Sequence, residues 1–201
     1  MNAVTKHEEP NAGMLPAIST LRALLRYEPD TGKLFWRERP ASMFADSPRR
    51  SREISAKIWN ARDANTEAFT AFDNNGRKIG KVLGFRQGAH RVAFAIHHGY
   101  WPRLVDHANG DPADNRISNL REATRAQNGY NAASRGGRSK YCGVSYEPRY
   151  DKWIAQCSGA PGQSRYIGSF ATEIEAAHAY DAAAIQRHGE YARTNFGGSP
   201  A

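Results

Sequence analysis

The sequence predicts an α+β fold divided into two folded units. Three observations carry that expectation. A chain of 201 residues, 40% hydrophobic and 10% aromatic, has the length and apolar material for one large domain or two small ones. Short alternating stretches bounded by turn residues mark strands, and stretches with apolar residues three and four apart mark helices. The run Ser134-Arg135-Gly136-Gly137-Arg138-Ser139-Lys140 is a flexible, charged linker and the expected boundary, with residues 17–133 before it and 141–197 after it.

Taken in order, Ile18, Leu21, Leu24 and Leu25 recur at helical spacing between Ala17 and Tyr27, and Pro29-Asp30-Thr31-Gly32 stops that helix in a turn. Lys33–Arg37 follows as a strand, and Ser42–Asn60 is Arg-rich and hard to assign. Ala68–Phe72 and Arg77–Phe85 flank Asp73-Asn74-Asn75-Gly76, a hairpin signal. Ala89–His98 reads as a helix ended by Gly99, with Pro102 beyond it. His97 and His98 in its last turn would complement the helix dipole as partly protonated imidazoles. Arg103–His107 is a strand, Ala108–Arg116 a polar loop and Ile117–Leu120 a second extended piece. A helix from Thr124 to Ser134 opens with Thr124 and Gln127 at the spacing of a capping box. Past the linker, Cys142–Glu147, Lys152–Ser158 and Arg165–Phe170 alternate as strands. A helix over Thr172–His188 would lay Ile174, Ala177, Tyr180, Ala184 and Ile185 on that sheet.

No run of about 18 apolar residues exists, and Met14–Tyr27 is interrupted by Arg22 and Arg26, so neither a membrane span nor a signal peptide is supported. An intracellular, cytoplasmic protein is expected. The only cysteines, Cys142 and Cys157, are fifteen positions apart with no CxxC, which rules against a disulfide framework or a cysteine-based zinc ribbon. Both read as buried thiols. The net charge of +8 is unevenly spread: residues 74–140 carry 12 Lys and Arg against 4 Asp and Glu, while residues 1–73 balance 11 against 10 and residues 141–201 balance 5 against 6. A basic field confined to one segment either attracts a polyanion such as nucleic acid or forms a solvated basic face.

The stretch Val105–Leu120 reads VDHANGDPADNRISNL. A loop that only had to turn could use Gly, Asn and Asp in almost any order, whereas this one sets a histidine against an aspartate. Hydrolysing a phosphodiester needs a cation on the phosphate, a base for the water and a pose that aligns them. Asp106 can offer an oxygen to a hard cation such as magnesium, and His107 can be the base. Asn119 is the candidate to hold the imidazole in one tautomer by accepting its second ring proton. Asn128, in the capped helix, can add a second oxygen ligand, and magnesium needs few protein ligands. Neighbours on a regular strand point to opposite faces, so the strand must end or bulge at Asp106-His107, and Asn109-Gly110-Asp111-Pro112 supplies the break.

The pattern DHxNGDxxDNRxxNL, with His107, Asn119 and Asn128 behind Asp106, resembles the HNH nuclease family. The upstream pieces YEPDTGKLFWR, WNARDANTEAFTAFD and AHRVAFAIHHGYWP, and the following NLREATRAQN, resemble the HNH homing endonucleases common in bacteriophages and prophages, over roughly residues 20–131. The resemblance implies a ββα-metal core with N-terminal antiparallel strands. It makes Asp106 and Asn128 ligands of Mg2+, or of another divalent cation such as Mn2+, with no zinc expected. It makes His107 the general base and Asn119 its orienter. The last position, histidine in many family members, is Asn128 here. Asp111, Asp114 and Asn115 are assigned to holding the loop. His90 is assigned to packing or a DNA-backbone contact, and Arg91, Arg116 and Arg121 to DNA contact.

In the C-terminal unit GVSYEPRYDKWIAQ, RYIGSF, EIEAAHAYDAAA and GEYARTNF resemble the Apetala/ethylene-response-factor type DNA-binding domain of plants, also found fused to bacterial and phage HNH nucleases. Such domains lay a three-stranded sheet, packed on one helix, in the DNA major groove. Positions that carry arginines in the plant proteins are Ser145 and Glu147 here, so their target sequence does not transfer. Arg149, Lys152, Gln156, Arg165 and Tyr166 remain as candidate contacts. The two resemblances imply a magnesium-dependent endonuclease of double-stranded DNA leaving a 5′-phosphate and a 3′-hydroxyl, with the C-terminal sheet helping to choose where it cuts. The alternative is a DNA-binding regulator whose HNH unit does not cut. Monomer and homodimer stay open.

Overall fold

The computed structural model describes residues 15–131, 138–159 and 165–197. It mixes helices with small antiparallel sheets. Internal contacts divide the chain into residues 1–122 and 123–201. Residues 132–137, which hold the end of the helix expected after Thr124 and most of the expected linker, lie outside the described residues. Among the described residues no helix is long and apolar enough to cross a membrane.

The first unit opens with α1 (Ile18–Leu24), which passes directly into β1 (Leu25–Glu28). The helix expected as far as Tyr27 is therefore cut at Leu24. The cause is the next stretch: β1 pairs antiparallel with β2 (Lys33–Trp36), Leu25 opposite Trp36, which satisfies both backbones and buries Leu25 and Leu34. The Arg-rich stretch holds a 3-10 turn at Ala41–Met43 and α2 (Arg52–Asp63), capped by the Ser51 side chain accepting from the Ile54 N–H. β3 (Glu67–Ala68) completes the first sheet on β2. A second sheet joins β4 (Ala71–Phe72), β5 (Lys78–Val82) and β6 (Phe85–Gly88). Asp73–Gly76 makes the expected turn between β4 and β5, with Asp73 N–H donating to Arg77 O at 2.9 Å. The strand expected over Arg77–Phe85 is broken at Leu83-Gly84, which reverses the chain into β6.

α3 (Ala89–His98) has the expected bounds and ends at Gly99 in the left-handed conformation, φ 84°. Its Val92 and Ala95 join Leu21, Leu24, Leu25, Leu34 and Val82 in the main core, while Ala93 and Phe94 pack on Val105 and Leu120. Burial, then His97, lowers the pKa of His98 against Glu122, which raises it, and its ring lies 4.1 Å from that of Phe94. β7 (Val105–His107) pairs with β8 (Leu120–Glu122). The second extended piece thus starts later than expected, because Ile117–Asn119 forms a 3-10 turn pinned by Ile117 N–H to Pro29 O at 3.0 Å.

The second unit begins with α4 (Arg125–Tyr130), opened by the complete Thr124/Gln127 capping box. The Tyr130 ring stacks on His188 at 3.8 Å, and Arg193 donates to Asn131 O, tying α4 to the later residues. β9 (Val144–Glu147), β10 (Lys152–Gln156) and β11 (Tyr166–Phe170) form an antiparallel sheet with β10 central. α5 (Glu173–His188) packs on it behind a Thr172/Glu175 capping box. Its buried stripe is Ala176, Ala177, Tyr180, Asp181 and Ala184; Ile174, expected on the sheet, is 55% exposed in the helix's first turn, before the stripe begins. Gly143, φ 69°, is required where β9 begins, since a Cβ there would overlap the Tyr180 ring and the Gln156 carbonyl. Asp181 accepts the backbone N–H groups of Asn195 and Phe196, and Asn195 accepts from Cys142 N–H at 2.7 Å, closing the chain end onto the first strand. Both cysteines are free; Cys157 is buried and Cys142 half-buried.

Candidate active site

The candidate site is built on β7. All three of its residues are buried, although two are ionisable: Asp106 is 5% and His107 7% exposed. The strand ends at His107, whose carbonyl accepts the Gly110 N–H at 2.8 Å. Their side chains have different neighbours. Asp106 lies opposite Arg121 on β8, whose Nε and Nη2 both donate to Asp106 Oδ2, at 3.0 and 2.7 Å. That pair is nearly removed from water, with side chains 6% and 16% exposed. The His107 ring lies 5.2 Å from the ring of His90, at the start of α3, and its Nε2 is 3.1 Å from Asn115 Oδ1.

The loop between β7 and β8 folds on its own side chains. Asn109 Oδ1 accepts from Asp111 N–H and Asp111 Oδ1 from Ala113 N–H, two successive Asx turns. Asp114 accepts from Asn109 Nδ2 and from Arg116 Nε and Nη2. The Arg116 guanidinium, against some burial, holds the Asp114 carboxyl down to about 2. Asn119, 6% exposed, bridges the two ends: its Oδ1 accepts from Asn109 N–H at 2.9 Å and its Nδ2 donates to Asp114 O at 2.8 Å. The amide beside the imidazole is therefore that of Asn115, and not the Asn119 expected there. Asn119 holds the loop and Asn115 meets the ring.

Asn115 is itself fixed from the N-terminal hairpin. It is 2% exposed, and its carbonyl accepts the Tyr27 hydroxyl at 2.7 Å. Burial, then Asp114 and Asp30, push that phenol far above its ordinary range, so it is a permanent donor. Gly32, φ 71°, lies against the same backbone, where a Cβ would come within 2.5 Å of Arg116 N and Asn115 C. The turn Pro29–Gly32 is thus a clamp on the loop. No motif spacing pointed to Asn115 as the ring's neighbour; the dipeptide DN at 114–115 reads as turn chemistry alone.

The remaining expected residues are dispersed. Of the basic four, Arg116 is exposed but paired with Asp114, and Arg121 is turned onto Asp106. Arg91 donates to Pro102 O and lies over Trp101. His90 has a buried Nδ1 with no hydrogen-bond partner among the described residues, and burial, then His107, push its pKa down to about 3. Asn128 lies half-buried on α4 in the second unit, its N–H donating to Thr124 O. Among the described residues no cluster of three or more His, Cys, Asp and Glu side chains stands ready for a metal. The donors on offer are one buried carboxylate and carboxamide oxygens, which suit a hard, hydrated cation and not a soft one.

In the second unit the register decides which side chains share a face. Lys152 pairs with Glu147, Ile154 with Ser145 and Ser169, and Gln156 with Tyr166. Side chains alternate, so these lie on the face opposite Ala155, which is fully buried under α5. Lys152, Gln156 and Tyr166, the last 52% exposed, therefore lie on one sheet face, and Arg149 and Arg165 are exposed at its turns.

A family model described as HNH endonuclease matches residues 87–130, the segment holding α3, β7, the loop, β8 and α4. HNH nucleases generally use divalent metal ions. The chain is also similar to plant proteins: it is 44% identical over 61 residues to the AP2-like ethylene-responsive transcription factor PLT2 of Arabidopsis thaliana, a match covering 30% of this chain and 11% of the relative. It is 46% identical over 61 residues to AIL7 of the same plant, covering 30% and 12%. It is 43% identical over 68 residues to dehydration-responsive element-binding protein 2A of Oryza sativa subsp. indica, covering 33% and 22%. The chain thus spans a small part of each of these relatives. An HNH endonuclease segment joined to an AP2-like part points to nuclease activity and to DNA as the partner.

Proposed function

We propose that the chain is a divalent-metal-dependent HNH endonuclease of double-stranded DNA, active in the cytoplasm of a bacterial or phage-infected cell, with its C-terminal sheet aiding target choice. The observation that carries this reading is His107: a buried imidazole at a strand end, its Nε2 against an amide, beside a buried aspartate in the segment that matches the HNH model. With Nε2–H given to Asn115, the opposite ring nitrogen carries the lone pair and takes the proton from the attacking water. Asn119 keeps the loop closed around that ring. On this reading β7 and β8 supply the strands of a ββα unit, and Asp106 is the residue of the first unit that would hold the cation. When bound, the cation neutralises charge on the phosphate and stabilises the departing oxygen. Departure of the 3′-oxygen leaves a 5′-phosphate and a 3′-hydroxyl. Lys152, Gln156 and Tyr166 face a groove while Arg149 and Arg165 meet phosphates.

Supercoiled plasmid incubated with the full chain and Mg2+ or Mn2+ tests this: nicked or linear product is expected from the wild type and none from His107→Ala. Equal cutting by that variant overturns the assignment. The plant matches, named as transcription factors, favour a second reading, a DNA-binding regulator. Plasmid binding without cutting in either metal would select it.

A further inference from the structure

The β5–β6 hairpin breaks two local rules at its tip. Its two-residue turn, Leu83-Gly84, has positive φ at both positions, 50° and 85°, as a type I′ turn requires. Asn, Asp or Gly ordinarily fills the first of these. Here it is a bulky leucine, 54% exposed. A Cβ on Gly84 would meet nothing within 4 Å among the described residues. One rung back from the turn, Phe85 is 40% exposed opposite Val82, which is fully buried and anchors the hairpin to the core. On the next rung Lys81 lies directly opposite Arg86, both exposed. Like charges so placed weaken a hairpin. Among the described residues neither cation has an ion-pair partner.

A bulky apolar residue in a left-handed turn and two opposed cations behind it both cost the fold stability. Departures from local rules of this kind gather at functional sites. A partner that is anionic outside and apolar within answers both: duplex DNA offers phosphates to the cations and stacked bases to the leucine. The hairpin also lies in the segment that carries the chain's whole charge excess. We propose that the hairpin tip is a DNA wedge: Leu83 enters between stacked base pairs from the minor groove while Lys81 and Arg86 hold the flanking phosphates. The proposal rests on DNA being the partner, as proposed above, and does not depend on cutting. A wedge of this kind kinks the duplex, and pyrimidine–purine steps kink most easily, so the tip would add sequence preference without reading a base edge.

The test uses the full chain in EDTA, bound to closed circular plasmid and treated with a metal-independent topoisomerase, followed by gel analysis of linking number. The wild type is expected to shift the linking number in proportion to chains bound. Leu83→Asn and Leu83→Gly both suit a positive φ, so they should melt at or above the wild-type temperature while losing most of that shift. Lys81→Ala/Arg86→Ala should weaken plasmid binding and lower its salt slope by about two. An unchanged linking number under saturating wild type overturns the wedge. So does a full shift from Leu83→Asn, or lower melting of both leucine variants, which would return Leu83 to the fold. Loss of self-association in gel filtration, without loss of unwinding, would assign the tip to a second copy of the chain. Unwinding by a wild type that never cuts in Mg2+ keeps the wedge and removes the nuclease; absence of plasmid binding removes both.

Discussion

Asn115→Ala separates the two asparagines. The change removes the amide oxygen 3.1 Å from His107 Nε2 at a position 2% exposed. A buried ring N–H left without an acceptor costs about 1–3 kcal/mol. The same truncation also removes Asn115 Nδ2, a buried donor with no hydrogen-bond partner among the described residues, and so relieves a penalty of similar size. The two nearly cancel, and net stability should change by no more than about 1 kcal/mol. Catalysis has no such offset. The neutral ring becomes free to carry its proton on either nitrogen, and loss of an orienting partner typically costs about 10–100-fold. Asn119→Ala should do the reverse. It deletes two bonds to loop backbone, at 2.9 and 2.8 Å, each worth about 0.5–1.5 kcal/mol, so the melting temperature falls as the loop opens. Thermal melts, single-turnover plasmid cleavage and nitrogen-15 spectra of the neutral imidazole report all three quantities. Wild type should show His107 as the Nε2–H tautomer, and Asn115→Ala should show a mixture with unchanged melting. An unaltered tautomer and rate in Asn115→Ala, or a switched tautomer in Asn119→Ala at full stability, would refute this assignment of the two asparagines.

Three further outcomes follow from the same geometry. Gly84→Ala meets open space and incurs only the left-handed backbone cost, about 1–2 kcal/mol, whereas Gly32→Ala adds a 2.5 Å collision with Asn115 and Arg116 backbone, about 1–3 kcal/mol more; calorimetry should show the larger drop, and plasmid cleavage should fail, for Gly32→Ala. His90 is held near 3 by burial and by His107, Arg77 and Arg91, against Asp73. Its folded pKa lies below its unfolded one, so the unfolded chain binds a proton between about pH 6.5 and 3 that the folded chain refuses, and stability is lost as pH falls through that window by at most about 1.4 kcal/mol per unit; urea midpoints at pH 7 and 5 should fall less in His90→Gln than in wild type. Arg121→Leu removes both guanidinium hydrogen bonds to the buried Asp106 carboxylate and should cost about 3–5 kcal/mol, most of it recovered in Asp106→Asn/Arg121→Leu. Mg2+ or Mn2+ should raise the melting temperature of Arg121→Leu and leave that double variant unmoved, if Asp106 takes the cation.

The elements legible in the sequence are those whose signals are local. α3 was bounded by its own apolar spacing and by a glycine that the left-handed conformation at Gly99 uses directly. The Thr124/Gln127 box needs only four adjacent residues. The misread elements answer to partners elsewhere. Leu25 and Tyr27 continue a helical spacing, yet their backbone pairs with Trp36 and Leu34, and pairing overrides propensity. Leu83-Gly84 carries none of the Asn or Asp that announces a hairpin, so Arg77–Phe85 read as one strand; the reversal is visible only as two positive φ values.

The candidate site divides in the same way: residue types stand out in the sequence, and their neighbours do not. Asp106 and His107 are adjacent in sequence, and no turn requires an aspartate against a histidine, so their types alone mark them. Asn115 and Asn119 are the same side chain four positions apart in one loop, each able to donate and accept. Which of them reaches the ring is decided by the turn Pro29–Gly32 and Tyr27, whose hydroxyl and close glycine press on the Asn115 backbone and whose Pro29 carbonyl takes the Ile117 N–H. That clamp leaves Asn119 at the end of the 3-10 turn, opposite the start of the loop, where it ties Asn109 to Asp114. A hairpin more than seventy positions away thus decides which of two identical residues meets the ring, and its integrity, tested by Gly32→Ala, is a condition for the proposal that the imidazole acts as a base.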